Sequence, residues 1–195
     1  MSELIKSIFI AIRPKTLVAS VSPVLVGSSL AFKHDSFSYI IFLFTLCAAV
    51  FIQIGTNFAN DLYDYLHGAD NENRLGPIRA VQSNLISTRQ MRRLIFIVFS
   101  LAVLCGFPLV LKGGAPILLI GLLSIISGYA YTAGPYPLGY NGLGDIFVFC
   151  FFGPVAVCGT YFLQSEGISM ASVCSGMIVG CLSILLLCVN NLRDI

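Results

Sequence analysis

The sequence predicts an all-α protein, a polytopic transmembrane helix bundle that forms a single domain over residues 1–195. Three observations carry this. Of its residues 57% are hydrophobic and only 10% charged, with mean hydropathy +0.90, whereas a domain surrounded by water carries about 25% charged residues. Uncharged stretches near bilayer length recur along the chain, each closed by turn formers or charges. A spanning helix needs about 20 apolar residues, with a lower limit near 17. The Lys and Arg residues also gather in alternate connections, as the positive-inside rule requires. This composition excludes a disordered chain, a basic nucleic-acid arm and a disulfide-built miniature fold. A net charge of +2 identifies no partner, and no nucleic-acid partner is expected.

Taken in order, the first span is expected at about 16–32, inside the 17 uncharged residues between Lys15 and Lys33. It is the shortest of the set. The opening MSELIKSIFIAIRPK lacks a long apolar region and meets a basic pair, so no cleavable leader is expected there. The second span, 39–60, is a longer uncharged run, and the third, 94–111, fills the interval between Arg93 and Lys112. Spans at 115–133, 143–163 and 170–191 follow, separated by LKGGAP, AGPYPLGYNG and QSEGIS. About six helices result, so both chain ends fall on one side of the bilayer. Lys6, Arg13, Lys15, Arg74, Arg79, Arg89, Arg92, Arg93 and Arg193 mark that side, against Lys33 and Lys112 on the other. The N-terminus and the acidic loops are therefore expected to be cytoplasmic, in a cell (inner) membrane. Seven cysteines sit within apolar runs without CxxC spacing, and read as small hydrophobes.

The polar residues cluster after the second span, in QIGTNFANDLYDYLHGADNENRLGPIRAVQSN. Asn57, Asp61 and Asp64 stand at i, i+4 and i+7, on one helical face. Asp70 and Glu72 follow. Carboxylates this close repel one another unless a cation lies between them. A set built from carboxylate and amide oxygens suits Mg²⁺ bridged to phosphate. The competing reading is a solvated helix end, with Asn57 and Asn60 bonding neighbouring helices. The sixth span ends in LLLCVNNLRDI, where Asn190 and Asp194 repeat the amide–carboxylate spacing of Asn57 and Asp61. Two such pairs facing each other could hold two cations on one diphosphate. Arg74 and Arg79 flank Gly76-Pro77, and a guanidinium fork matches phosphate oxygens. Arg89, Arg92 and Arg93 read as interfacial anchors. Tyr129, Tyr131, Tyr136 and Tyr140 come to the same face, ahead of Asp145. They read either as an aromatic belt or as a π-rich lining for a carbocation. His34 is expected on the opposite side and inert, and His67 near the cluster.

NFANDLYDYLHGAD, YTAGPYPLGYNGLGD and the terminal NNLRD together resemble the UbiA-type intramembrane prenyltransferases, over the whole chain. GPIRAVQSNLIS is similar to the menaquinone-pathway branch, with Asn84 where that branch has Gly. The resemblance implies about nine helices and a second acidic motif that continues beyond NNLRD. Read that way, the chain is the first two thirds of such an enzyme and is expected to be inactive alone. It also implies Mg²⁺-dependent transfer of a polyprenyl chain from polyprenyl diphosphate to 1,4-dihydroxy-2-naphthoate, giving demethylmenaquinone. Asn57, Asp61 and Asp64 would hold one Mg²⁺ and Asn190 and Asp194 another. Asn60, Asn191, Arg74 and Arg79 would share in diphosphate binding. Tyr131, Tyr136 or Tyr140 would steady the allylic cation, and Asp145 would position the acceptor or take a proton. An acceptor such as 4-hydroxybenzoate, a cation-coupled transporter, a CDP-alcohol phosphotransferase and a membrane scaffold are the alternatives. The phosphotransferase motif D-G-x2-A-R is not found in the chain.

Overall fold

The computed structural model describes residues 3–69 and 77–193. Asp70, Glu72, Arg74 and Asp194 lie outside the described residues. The described chain is helical: α1 (Glu3–Ile12), a 3₁₀ turn (Pro14–Thr16), α2 (Leu17–Lys33), α3 (Tyr39–Leu66), α4 (Thr88–Ala130), α5 (Gly144–Cys150), a π turn (Phe151–Val155), α6 (Ala156–Ser165) and α7 (Met170–Arg193). Five helical stretches are long and apolar enough to cross a membrane, where about six were expected.

The difference lies in α4. Its 43 residues would extend about 64 Å if straight, twice a ~30 Å hydrocarbon layer. It is not straight, because Gly114 takes φ 66° and ψ −153°, outside helical geometry. A methyl group on Gly55 of α3 would lie 2.7 Å from the Phe99 ring, and one on Gly128 would collide with the Thr56 hydroxyl. Phe99 and Gly128 would be about 43 Å apart on a straight helix, yet they touch successive residues of α3. The chain therefore doubles back at Gly114, where a side chain would make the backbone costly. The expected spans 94–111 and 115–133 are the two limbs of one continuous helical element.

Elsewhere the spans run close to expectation. Helix α2 (Leu17–Lys33) lies one residue on from the expected span 16–32. Helix α3 extends past residue 60 to Leu66, which puts its carboxylates on the helix itself. The expected span 143–163 is α5, the π turn and α6 in succession, broken at Gly153. At that break small residues let backbones meet: a methyl on Gly153 would sit 2.6 Å from the Gly176 carbonyl oxygen and 2.7 Å from the Gly180 Cα. Between helices in lipid, such close backbone packing replaces the hydrophobic drive available in water.

Most large apolar side chains on the outer faces are exposed, among them Phe32, Phe96, Leu104, Leu111, Leu185 and Leu192. That is the inverse of a soluble protein and fits a lipid surround. The larger buried cluster lies at one end, where Ala11, Phe58, Ala59, Leu62, Ala80, Val81, Ile86, Met91 and Ile95 pack together, and a smaller one of Ala48, Leu109, Ile117 and Leu163 packs apart from it. At the other end His34 Nδ1 meets the buried Tyr161 hydroxyl at 2.6 Å, and Gln164 Oε1 accepts the Ser38 amide at 2.7 Å. Lys33 and Lys112 lie toward this second end.

Candidate active site at the cavity head

Helix α3 carries the site in its last three turns, and Asn57, Asp61 and Asp64 are all buried. The competing reading holds in part: the three residues are buried rather than solvated, while Asn57 and Asn60 do bond neighbouring parts of the chain. Burying a carboxylate is costly unless it is paired or hydrogen-bonded, and each polar group here is met by a different part of the chain.

Asn57 donates from Nδ2 to the Ile12 carbonyl at 2.8 Å and to the Thr16 hydroxyl at 2.9 Å, while Gln53 donates to its Oδ1 at 3.3 Å. It thus ties down the turn between α1 and α2, where Arg13 sits at φ 54°. Asp61, expected among the metal ligands, accepts the backbone amides of Ala80 at 3.0 Å and Val81 at 2.9 Å, one on each oxygen. Its carboxylate is only 1% exposed. In this arrangement Asp61 caps a helical turn from a distance, filling the part that an N-cap side chain plays locally.

The same turn is closed at its far side by Asn84. Leu85 N–H reaches the Ala80 carbonyl at 2.9 Å and Asn84 N–H reaches that of Val81 at 3.0 Å, with Asn84 at φ 57°. These are the two hydrogen bonds of a Schellman closure, whose left-handed position favours Gly and tolerates Asn. Asn84, where the resemblance leads one to expect Gly, therefore keeps the turn.

One residue before the capped amides, Arg79 is aimed at Asp64: its Nη2 donates to Asp64 Oδ2 at 2.9 Å, and both are buried. The Tyr140 hydroxyl donates to the other oxygen, Oδ1, at 2.5 Å. Asn60, one turn before Asp64, accepts a hydrogen bond from the Thr132 hydroxyl at 2.9 Å. Tyr63 and Tyr129 are hydrogen-bonded through their hydroxyls. The His67 ring stands edge-on to Tyr140, with ring centroids 6.0 Å apart.

Asn57, Asn60, Asp64 and Arg79 form the polar head of a cavity of about 1170 Å³, together with Arg13, Lys15, Tyr131, Tyr140, Asn190 and Asn191. The structure thus brings Asn57 of α3 and Asn190 of α7 to one chamber, while Asp61 does not line it and Asp194 lies outside the described residues. The remaining wall is mostly apolar, and includes Val103, Phe107, Leu118, Leu122 and Leu186, all of which are also exposed on the surface. Tyr131 is wedged so that a methyl on Gly139 or on Gly144 would come within 2.9 Å of its ring or 2.8 Å of its hydroxyl. Burial first, then the negative charges of Asp145 and Asp64, raises the Tyr131 pKa, which keeps the phenol protonated. Tyr136 and Asp145 are exposed and do not line the cavity.

Arg13, Lys15, Thr16, Gln53 and Thr132 were not among the expected site residues. Arg13-Pro14-Lys15, a basic pair set against the first span, is the signal that could have found two of them. Among the described residues three cations, Arg13, Lys15 and Arg79, surround a single cavity carboxylate, Asp64. The donors at the head are hard oxygens, one carboxylate and several side-chain amides, which fits Mg²⁺ held partly by substrate phosphates. No group of three His, Cys, Asp or Glu residues able to hold a metal on its own occurs among the described residues.

Fold and site together define a multi-pass membrane protein with a cavity that is mostly apolar in its body and polar at its head. A profile of the UbiA prenyltransferase family matches residues 20–195, and the chain belongs to that family. It is 38% identical to 1,4-dihydroxy-2-naphthoate octaprenyltransferase of Escherichia coli (strain K12), over 95% of this chain and 62% of that protein. It is 36% identical to the protein of that name from Mycobacterium tuberculosis (strain ATCC 25618 / H37Rv), over 94% and 62%. For that of Bacillus subtilis (strain 168) the figures are 32%, 94% and 59%. The chain spans about three fifths of the length of these relatives.

Proposed function

We propose that the chain provides the donor-binding part of a prenyltransferase of menaquinone synthesis, which moves a polyprenyl group from its diphosphate to 1,4-dihydroxy-2-naphthoate. The observation that carries this reading is the division of the cavity, with apolar walls open toward lipid and three cations at the head. A polyprenyl diphosphate has that same division. Relatives carrying the naphthoate name support the choice of acceptor over 4-hydroxybenzoate. A cation-coupled transporter fits less well, because the ionic groups lie at one end of the bundle rather than at mid-depth, where transport sites form.

In the reaction, the allylic C–O bond breaks with its electron pair leaving on diphosphate. The ring carbon bearing the carboxylate of the acceptor bonds the allylic carbon, and that carboxylate departs as CO₂. The product is a demethylmenaquinone in its reduced form. Arg79, Arg13 and Lys15 take up the negative charge of the leaving diphosphate, which is greatest as the bond breaks. Tyr131 and Tyr140 present ring faces to the positive allylic centre. Asp64, with Asn60 and, from the facing helix, Asn190 and Asn191, would hold Mg²⁺. Bound there, Mg²⁺ would supply charge neutralisation of the diphosphate oxygens. Asp61 serves as a positioning residue that fixes the backbone next to Arg79. The carboxylate end is assigned to the cytoplasmic face of a cell membrane, where the Lys and Arg bias puts it.

The test is binding of farnesyl diphosphate to the purified chain in nanodiscs with Mg²⁺, alongside farnesol as the neutral counterpart. Tight binding of the diphosphate, competed by inorganic pyrophosphate and weakened about tenfold or more by Arg79→Gln, is expected, since a charge-assisted contact is lost. Equal affinity for farnesol and farnesyl diphosphate would overturn the reading. Conversion of 1,4-dihydroxy-2-naphthoate to demethylmenaquinone by membranes holding the full assembly completes the assignment.

A further inference from the structure

A second basic site lies outside the cavity just described, on the outer face of α4. Thr88, Arg89, Arg92, Arg93, Phe96 and Ile97 line a separate hollow of about 540 Å³, and none of them belongs to the cavity. Arg89, Arg92 and Arg93 occupy positions i, i+3 and i+4, so the three guanidinium groups share one side of the helix. All three are exposed, and none has an acidic partner among the described residues.

This placement is electrostatically unfavourable for the bare helix. Like charges at i and i+4 repel, and the start of a helix carries the positive pole of its dipole. The first turn of α4 has no acidic residue to offset either effect. Its cap is satisfied internally, with Ser87 Oγ accepting the Gln90 amide at 3.3 Å and Gln90 Oε1 accepting the Ser87 amide at 3.0 Å. What the first turn lacks is a negative charge. A phosphate group in the hollow would answer the three arginines and the dipole together.

Below the arginines the same flank turns apolar and exposed: Phe96 is 75% exposed, and Ile97, Leu101, Leu104 and Leu111 follow it along the helix. The rise from Arg93 to Leu104 is about 16 Å, close to half of a ~30 Å hydrocarbon layer. An anion held at the arginines thus has a greasy track one leaflet deep beneath it. A soluble phosphate would use the arginines and leave the track idle.

We propose that this hollow is a binding site for the headgroup of an anionic phospholipid, with an acyl chain lying along Phe96, Ile97 and Leu104. The bound lipid holds the start of α4 and, through Met91 and Ile95 in the buried core, steadies the end of the bundle that carries Asp64.

Native mass spectrometry of the purified chain tests this, using phosphatidylglycerol and phosphatidylcholine of matched acyl chains. The wild-type chain should retain phosphatidylglycerol in clear preference. Replacing Arg89, Arg92 and Arg93 by Gln should cut that retention about tenfold or more, given the contribution of each basic residue near an anionic surface. Phe96→Ala with Ile97→Ala should weaken retention of the intact lipid while leaving any binding of glycerol 3-phosphate unchanged. Equal retention of the two lipids by the wild-type chain, a comparison that needs no variant, would overturn the proposal. So would undiminished retention by the Gln variants with native helical content. Displacement of phosphatidylglycerol by millimolar inorganic phosphate would also sink it, by making the hollow a site for free anions.

Discussion

The two helix ends that meet at the cavity head, that of α3 and that of α7, carry similar amide-rich sequences and are built very differently. On α3 every polar group is held: Asn57 by the α1–α2 turn, Asn60 by Thr132, Asp61 by two backbone amides, and Asp64 by Arg79 and Tyr140. On α7, Asn190 is half-buried and Asn191 exposed, and neither side chain hydrogen-bonds within the described residues. One wall is preorganised and the other has hydrogen-bonding capacity to spare. A preorganised wall fixes where charge can develop without reorganising. A wall with unspent donors and acceptors contributes mainly when a ligand arrives. Substitutions on α3 should therefore register in stability, and those on α7 in binding.

The largest effect is expected at Asp64. Asp64→Ala strands the buried Arg79 guanidinium, and breaking one side of a buried pair costs roughly 3–5 kcal/mol. Chemical unfolding in detergent should show a loss of that size, and Asp64→Asn with Arg79→Gln should cost less than the two single changes summed. Additive losses would mean that the pair is not coupled.

Asp61→Asn comes next. The Asn side chain offers one acceptor and turns a donor toward a backbone N–H, so about 2 kcal/mol should be lost. Amide exchange at Ala80 and Val81 should accelerate in that variant, with no such change in Asp64→Asn. Unchanged protection at those two amides would return Asp61 to the ligand set that the sequence alone implies.

A smaller effect is expected at the left-handed turn. Asn84→Ala should cost about 1 kcal/mol and Asn84→Gly nothing, because only Ala meets the full steric penalty at positive φ. Thermal unfolding of the pair measures this, and a Gly variant weaker than the Ala variant would discard the Schellman reading.

The smallest change in stability belongs to α7. Asn190→Ala should shift unfolding by less than about 0.5 kcal/mol. The same variant should need more Mg²⁺ to bind farnesyl diphosphate, as read by titration. A large stability loss there would erase the contrast between the two walls.

Much of this molecule is legible in the order of its residues. The length and spacing of uncharged runs give the spans, because a bilayer admits only helices whose backbone is satisfied internally. The segregation of Lys and Arg separates the two ends, and described cations fall as expected, with Arg79 beside Asp64 and Lys33 by the His34–Tyr161 contact. The spacing of amides and carboxylates on α3 and α7 marks the site, because residues three and four apart share a helical face. Sequence periodicity, however, places Asp61 and Asp64 on one face without saying what each meets. Only the packed chain, with residues 79–81 folded back onto α3, assigns Asp61 to two backbone amides and Asp64 to the cavity. The return of α4 at Gly114 and the arrival of Arg13 and Lys15 at the cavity head were likewise decided in three dimensions. The reason is the same for all of them. Local pattern records which side of an element a residue occupies, whereas the partner it finds there depends on chain that is distant in sequence and brought near only by folding.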